Sequence, residues 1–113
     1  MYMAKMDSDV NKYDNFCIYK IHHKDDDKTL YIGSTTNYKR RVFQHKKNST
    51  NFRKKTALYK YIRALGGFDN FIMSKVIDYP CKTRGEGLIK ERELIDLMKA
   101  NLNTIMMPKT KIT

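Results

Sequence analysis

Apolar and aromatic positions are concentrated in two short stretches near the start of the chain. Residues 16–21 (FCIYKI) and 30–33 (LYIG) are rich in β-branched and aromatic side chains, which is typical of strands. Residues 22–28 between them carry three consecutive aspartates and indicate a solvated turn, so the two strands should form a hairpin. If the turn is centred on Asp25, Tyr19 lies directly opposite Tyr31 and both side chains share one face of the sheet.

The next part of the chain has a helical period. A first helix is predicted from Tyr38 to about Lys47, preceded by three good N-cap candidates: Thr35, Thr36 and Asn37. A second helix is predicted from apolar residues that recur at the spacing i, i+3, i+4 and i+7: Leu58, Tyr61, Ile62 and Leu65. The pair Gly66-Gly67 should end it, since glycine is common after the last turn of a helix.

A third strand is predicted from roughly Phe71 to Ile77, stopped by Pro80, and a third helix from Arg84 to about Ala100. The order ββααβα indicates an α+β fold, in which a small three-stranded, mainly antiparallel sheet is flanked by helices. Residues 1–15 are polar and aperiodic and are interpreted as a flexible arm. Residues 16–103 form one domain, and residues 104–113 form a basic, irregular tail.

The charge balance gives the first indication of a partner. The chain of 113 residues carries 23 lysines and arginines against 12 acidic residues, a formal net charge of +11. Such a charge favours a polyanion: nucleic acid first and an anionic membrane surface second. No basic amphipathic helix with a clean apolar face supports the membrane alternative, and no apolar run reaches the length of a membrane span. The two cysteines are too few for a disulfide framework, so a reducing, intracellular setting is expected.

Arg41 and His45 are four residues apart and therefore lie one turn above another on one face of the first helix. The arginine fork can bind phosphate oxygens, and histidine can donate or accept a proton near neutral pH. Other lysines and arginines crowd the same helix, so a solvated basic face is the simpler alternative.

Glu91 is the only charged member of a stripe on the third helix that should face the core: Leu88, Glu91, Ile95, Met98 and Leu102. A carboxylate in such a place is costly unless it is paired or bound to a cation. The alternatives are an ion pair with an arginine and an escape to solvent at the edge of the helix. Glu93 lies off the stripe and is expected to be solvated.

Other polar and aromatic residues carry little information by themselves. Tyr19 and Tyr31 would ordinarily be core residues of their strands. Asn103 lies at the end of a helix and by itself indicates no function. His22 and His23 adjoin the three aspartates, but neighbouring histidines point in different directions. A charged, solvated turn is a better interpretation of that segment than a metal site.

These same positions are where the sequence resembles the GIY-YIG nuclease family. Residues 17–19 (CIY) stand at the first motif and residues 31–33 (YIG) match the second. Residues 31–45 resemble the family's strand-to-helix segment, with its arginine and histidine, and residues 65–71 (LGGFDNF) resemble the turn before its third strand. Glu91, followed twelve residues later by Asn103, is similar to the family's metal-binding glutamate and terminal asparagine.

The resemblance spans residues 16–103, with five motifs in the family's order. The one departure is Cys17, which stands where the first glycine of the family name would be. The motifs together, with residues 34–37 and the tail around 108–110, look like the stand-alone members encoded by large DNA viruses.

The resemblance implies metal-dependent hydrolysis of DNA phosphodiester bonds, with one Mg²⁺ or Mn²⁺ per site held by Glu91, or alternatively by Glu93. It implies that Arg41 neutralises charge on the phosphoryl group and that Tyr19, with a pKa lowered by nearby positive charge, activates the attacking water. Tyr31 and His45 would orient that water or relay its proton. Asn103 would brace Glu91, and Gly33 would allow the DNA backbone to approach closely. The tyrosines, Arg41, His45 and Glu91 would together occupy one face of the sheet.

DNA contacts outside the site are expected from basic residues that hold phosphates without reading sequence: Lys39, Arg40, Lys46, Lys47, Arg53, Lys54 and Lys55. The leading hypothesis is a structure-selective or weakly sequence-specific endonuclease. The alternatives are a non-catalytic nucleic-acid-binding module on the same scaffold and a basic structural protein of a virion. Specificity would come from a homo-oligomer, from an additional partner protein or from the rest of a longer chain of which this is a fragment. The protein would be intracellular and located where its DNA is, in the nucleus, the cytoplasm or a viral replication site.

Overall fold

The computed structural model describes residues 12–104, with side chains as far as residue 103. Its elements follow the predicted order: β1 (Cys17–His23), β2 (Tyr31–Thr35), α1 (Tyr38–Ser49), α2 (Ala57–Ala64), a 3₁₀ turn (Phe68–Asn70), β3 (Phe71–Asp78), α3 (Arg84–Met98) and a final turn, α4 (Asn101–Thr104). The strands form one antiparallel sheet in the order β2-β1-β3, which confirms the α+β prediction. None of the helices in residues 12–104 is long and apolar enough to cross a membrane.

The hairpin register differs from the prediction. Tyr19 pairs with Gly33, and Tyr31 pairs with Ile21, so the expected direct pairing of the two tyrosines is wrong. Positions 19 and 33 are equidistant from residue 26, and moving the centre of a turn by one residue moves each partner by two. The two tyrosines are therefore diagonal neighbours on the same face, with ring centroids 6.4 Å apart. β1 also runs to His23, so its last two residues belong to the strand rather than to the turn.

The sheet is covered on both faces because alternate residues of the central strand β1 point to opposite sides and each side carries buried apolar side chains. On one face, Tyr19 and Ile21 pack with residues of α2. On the other face, Ile18 packs with Ile32 of β2 and Ile95 of α3. Helices α1 and α2 thus lie on one side and α3 on the other, and the edge strand β2 separates them.

The buried stripe of α2 is rotated relative to the prediction. Leu58, Tyr59 and Ile62 are buried, whereas Tyr61 and Leu65 are 38% and 39% exposed. The helix has only eight residues and ends at Ala64, so Leu65 already lies outside it. Both glycines that follow have positive φ, as the prediction of a glycine stop requires.

The predicted stripe of α3 is wrong at its first position. Leu88 is 40% exposed, and Gly87 takes the inward place, where a Cβ would lie 2.3 Å from the Phe16 ring. The helix also ends at Met98 rather than Ala100, because Lys99 adopts a left-handed conformation with φ of 54°. Leu102 then donates its backbone N–H to Leu30, so the chain turns around the β2 edge.

The two ends of the predicted domain differ in what the structure describes. Residues 12–15 form a turn, and half-buried Tyr13 packs against the core on the α3 face, so these four residues are part of the folded domain rather than of the predicted arm. Thr104 belongs to α4. The remainder of the predicted arm, residues 1–11, and of the predicted tail, residues 105–113, lies outside the described residues.

Candidate active site

A polar cleft of about 360 Å³ opens along the β2 edge. Tyr31 and Gly33 reach it from β2, Arg41 from α1 and Glu91 from α3. Because β2 is an edge strand, side chains from both faces of the sheet meet here. The prediction that these residues share one face is therefore wrong for Glu91, whose helix packs on the face opposite Tyr19 and His45.

A chain of hydrogen bonds lies in the core behind the cleft wall. The Tyr19 hydroxyl lies 2.7 Å from Nε2 of His45, and Nδ1 of His45 lies 2.8 Å from the Tyr59 hydroxyl. The Asn48 side-chain amide donates to the same Tyr59 oxygen over 3.4 Å. Tyr19 is fully buried and His45 is 4% exposed, whereas Tyr31 is half-buried and lines the cleft. Tyr31 is therefore the tyrosine that can meet a water molecule.

The environment of His45 keeps its ring neutral. Burial, and then the positive charge of Arg41, lower the pKa of His45 from 6.5 to about 4. At neutral pH one ring nitrogen is therefore a donor and the other an acceptor. The hydrogen-bonded ring can take up a proton from Tyr19 only if Nε2 is the acceptor and Nδ1 carries the hydrogen.

Both tyrosines of the site are protonated at neutral pH. Burial raises the pKa of Tyr19 well above its ordinary value, and the opposing positive charge of Arg41 is too weak to reverse this. The expectation that nearby charge lowers the pKa of Tyr19 is therefore wrong, because the hydroxyl lies inside the core rather than at a charged surface. Burial and then the negative charge of Glu91 likewise raise the pKa of Tyr31.

Glu91 is half-buried beside the cleft and accepts a hydrogen bond from the Ser34 hydroxyl over 2.5 Å. Within residues 12–104 it forms no ion pair, so the alternative of a glutamate–arginine pair is not what the structure shows. Glu93, in contrast, is exposed and pairs with Lys90 on the same helix over 3.3 Å. Of the two glutamates, only Glu91 lines the cleft.

Asn103 has a different contact from the one expected. Its side-chain oxygen accepts from the backbone N–H of Ile32 over 2.7 Å, and its amide donates to the Ile32 carbonyl over 2.8 Å. These hydrogen bonds replace those of a neighbouring strand along the free edge of β2. Asn103 therefore fixes the strand segment between Tyr31 and Gly33 instead of bracing Glu91.

The donors around Glu91 suit a hard divalent cation that keeps most of its own water. Residues 12–104 contain no cluster of three or more histidine, cysteine or acidic side chains able to hold a metal ion. One carboxylate without a cationic partner, in an open polar cleft, fits Mg²⁺ or Mn²⁺, for which waters and substrate oxygens complete the shell. The residues present fit such an ion and do not fit a site made of protein ligands alone.

Comparison with known proteins agrees with this geometry. The family model of the GIY-YIG catalytic domain matches residues 15–104, which is 90 of the 113 residues. This chain belongs to the GIY-YIG family. Neither curated proteins nor solved structures gave a match at the level of significance required. GIY-YIG domains are endonuclease domains that act on DNA and generally depend on a divalent metal.

Gly33 carries a specific packing requirement in this GIY-YIG domain. A Cβ at this position would lie 2.4 Å from the Tyr19 hydroxyl oxygen, which also bonds His45. We expect Gly33→Ala to lower the free energy of unfolding by about 1–3 kcal/mol, as overpacking does, and to reduce cleavage. Gly85→Ala is the control, since its Cβ meets nothing closer than 3.8 Å. Equal unfolding midpoints for both variants in urea would contradict the close contact.

The positive charge of the GIY-YIG domain is concentrated in one segment. Residues 28–68 contain eleven lysines and arginines and no acidic residue, so this segment alone carries a charge equal to the formal net charge of +11. The seven predicted DNA-contacting residues all fall within it, and all are exposed: Lys39, Arg40, Lys46, Lys47, Arg53, Lys54 and Lys55. The charge therefore borders the α1–α2 side of the cleft.

Three residues of the site were missed at the level of sequence. Tyr59 was left off the α2 stripe, although its spacing of three from Ile62 could have placed it on the buried face. Ser34 lies two residues after Ile32 in β2, so both side chains point to the face covered by α3. No sequence motif distinguishes Ser34 as a site residue. Arg84 lines the cleft from the first turn of α3, and only the three-dimensional structure shows that position.

Proposed function

We propose that the chain is a divalent-metal-dependent endonuclease that hydrolyses DNA phosphodiester bonds in the cleft at the β2 edge. The observation that carries the proposal is the convergence of three kinds of group on one cleft: a carboxylate without a cationic partner (Glu91), an arginine (Arg41) and a tyrosine whose ring lies against that of a buried histidine (Tyr31). A nucleic-acid-binding module would need only the arginine and the basic surface.

Arg41 contributes binding and charge stabilisation at the phosphate. Its guanidinium can place two donors on the oxygens of one phosphoryl group, and those oxygens gain charge as the water attacks. Arg84 lines the same cleft and adds a second cation beside it. The bound phosphate also offsets the positive charge of Arg41 at His45, so substrate binding raises the pKa of that histidine and makes it a better base.

Tyr31, Tyr19 and His45 form the route for the proton of the attacking water. As the water attacks, its proton moves to the Tyr31 oxygen, the proton of Tyr31 moves to the Tyr19 oxygen, and the proton of Tyr19 moves to Nε2 of His45. Two phenols with raised pKa values are poor bases alone but can relay a proton to an imidazole. Tyr59 accepts the Nδ1 hydrogen and thereby selects the required tautomer.

Glu91 would hold the divalent ion, with Ser34 fixing one carboxylate oxygen. When bound, the ion supplies Lewis-acid stabilisation for the phosphate and the leaving oxygen. Asn103 holds the edge strand so that Tyr31 and Gly33 keep their places in the cleft wall.

The neutral state of His45 predicts the pH dependence of cleavage. A folded-state pKa lowered to about 4 means that protonation of His45 opposes both folding and the proton relay. Stability should therefore be fully present above pH 6.5 and be lost as the pH falls towards 4, whereas kcat/KM, which follows the folded free enzyme, should hold to about pH 5 and fall around pH 4. Initial rates at low DNA concentration across pH 4–8 measure this. An acid limb near pH 6.5 would show that His45 is not shielded as described.

The exposed cations predict a strong dependence of DNA binding on salt. Because each phosphate contact releases condensed counterions, affinity should fall steeply between about 50 and 200 mM salt, by roughly 10³-fold for six contacts. Titration of a labelled duplex in chelator at several salt concentrations gives the slope. Lys54→Gln should reduce the slope of log affinity against log salt concentration by about 0.9, the value for one phosphate contact. Lys99→Gln, just after the end of α3, should leave the slope unchanged. A flat response would exclude phosphate contacts as the main source of affinity.

Adding metal to a preformed complex separates the endonuclease from a non-catalytic binding module. The protein is first bound to supercoiled and branched DNA in chelator, and excess Mg²⁺ or Mn²⁺ is then added. The endonuclease should bind in chelator and convert the DNA to nicked or linear products when metal is present. Full binding with no product under either metal would support the binding module instead.

A further inference from the structure

The connection between α1 and α2, residues 50–56, is held by several hydrogen bonds and is called the platform below. The Arg63 guanidinium donates to three backbone carbonyls: that of Ser49 at the end of α1 (3.3 Å) and those of Asn51 (3.2 Å) and Lys54 (2.8 Å) in the connection. Two turns within it are closed by backbone hydrogen bonds, from Asn51 to Asn48 over 3.0 Å and from Lys54 to Asn51 over 2.9 Å. The half-buried side chain of Arg63 thus ties the connection to α2.

Phe52 stands on this platform with its ring in solvent. It is 78% exposed, although it belongs to an ordered segment, and its ring lies over the Arg63 guanidinium at 5.4 Å. One side of the ring is therefore held by a cation while the rest remains accessible. Beside it is a shallow, mainly apolar hollow that Thr50, Gly66 and Gly67 also line. A single exposed phenylalanine is ordinary. The ring of Phe52, however, is oriented by Arg63, which is itself held by three hydrogen bonds, so it can bind a planar group at little cost in entropy.

The surroundings of Phe52 specify the chemistry of that partner. The next three residues, Arg53, Lys54 and Lys55, are all exposed cations, and no acidic residue occurs from position 28 to 68. An acidic peptide would satisfy the charge, but the combination of a free aromatic face and consecutive cations favours a strand of nucleic acid. Bases stack on the ring and phosphates meet the cations.

The platform leads directly to the active site. Thr56, which follows the three cations, caps α2 and lines a second hollow together with Tyr31, Arg41 and His45. Tyr31 and Arg41 also line the active-site cleft that contains Glu91. The cleft and the hollow lined by Thr56 therefore share these two residues as a common wall. Because Arg53, Lys54 and Lys55 lie between Thr56 and Phe52 in the chain, a DNA strand that follows the platform out of this hollow would meet the cations before Phe52.

From this placement we propose that Phe52 stacks on an unpaired base close to the scissile bond, so that the enzyme prefers forked or otherwise unpaired DNA over continuous duplex. In a closed duplex both faces of each base are covered by neighbours, and the ring could stack only after a costly unstacking. At a fork or flap the base face is already free. This inference rests on the proposed nuclease function and adds the class of DNA that it selects.

The test measures binding of the 113-residue chain in chelator to two labelled DNAs of equal length, one continuous duplex and one fork. The fork carries 2-aminopurine at the first unpaired position, so stacking is read from its fluorescence. Phe52→Ala should weaken fork binding by roughly 5- to 100-fold, change duplex binding by less than about two-fold, and abolish the fluorescence change. Phe52→Tyr should keep the preference for the fork.

Leu97→Ala is the matched control, since Leu97 is 75% exposed but lies on α3, against the opposite face of the sheet. It should change neither affinity, and all three variants should melt as the wild type does. Equal loss of affinity for fork and duplex, or no loss for either, overturns the proposal. So does normal fork binding accompanied by a changed oligomeric state in Phe52→Ala, which would make Phe52 a protein contact.

Cleavage separates this proposal from the nuclease function on which it rests. If the wild type cuts DNA and Phe52→Ala loses no preference for the fork, only the role of Phe52 fails. If the wild type cuts no DNA with either metal while Phe52→Ala loses fork binding selectively, the nuclease function fails and the base-binding platform stands.

Discussion

Replacing Glu91 with glutamine is expected to abolish DNA cleavage while leaving DNA binding intact. Glutamine keeps the shape of the side chain and an oxygen that can accept from Ser34, but it loses the charge that would hold a divalent ion. Since Lewis-acid stabilisation contributes several kcal/mol, the rate should fall by about 10³-fold or more. Binding should be unchanged or slightly tighter, because a negative charge leaves a cleft that faces phosphates.

Glu93→Gln is the control for this prediction. Glu93 lies two residues further along the same helix, exposed, and makes only a surface ion pair with Lys90, which contributes little. Its variant should cut at the wild-type rate. Loss of cleavage in Glu93→Gln with normal cleavage in Glu91→Gln would exchange the assignments of the two glutamates.

The second large effect is expected at Arg41. Arg41→Ala should lower kcat by about 10²- to 10³-fold, because the variant lacks the guanidinium that stabilises the negative charge developing on the phosphoryl oxygens. Arg41→Lys should recover only part of this loss, since an ammonium cannot form the two parallel hydrogen bonds of a guanidinium. Removing Arg41 also removes a positive charge near His45, so the acid limb of the pH profile should move to higher pH.

Arg40→Ala is the matched control for Arg41, because it removes the neighbouring arginine of the same helix, which is exposed. It should weaken DNA binding and reduce the salt dependence while leaving the single-turnover rate at saturating protein unchanged. An equal fall in single-turnover rate for both variants would mean that Arg41 acts only as part of the basic surface.

Local patterns predicted the elements because each depends on residues close together in the chain. The apolar stretches around Ile18 and Ile32 set the hairpin, and Asn37 caps α1 through its side chain, as an N-cap candidate should. The spacing of four between Arg41 and His45 placed both on one side of a helix, and both do line the hollow beside Tyr31. Glu91 was identified because a single carboxylate broke an apolar stripe.

What the sequence could not predict depends on how the elements meet. The register of Tyr19 was misjudged because a shift of one residue in a polar turn leaves the alternation of the strands unchanged. The position of Glu91 across the β2 edge from Tyr19 depends on which face each helix covers. The rotation of α2, which brings Tyr59 to His45, is determined by packing rather than by an eight-residue pattern.

The burial of Tyr19 also changes the chemistry that the motifs suggest. A tyrosine in the first motif was expected to meet the water directly, but its ring is enclosed and its hydroxyl is bonded to His45. Tyr31, from the second motif, holds the exposed position. The motifs therefore named residues that the structure brings to the cleft and to the layer behind it, while their order from solvent inward required the structure.

The most direct test of a metal-dependent nuclease at the β2 edge is a nicking time course. Wild type and Glu91→Gln, purified in parallel, are incubated with supercoiled plasmid and with forked DNA in Mg²⁺, in Mn²⁺ and in chelator. This assignment requires the wild type to convert both DNAs to cut products only with metal, and Glu91→Gln to bind them without cutting. Equal cutting by the two preparations, or tight binding with no cutting by the wild type under any condition, would contradict it.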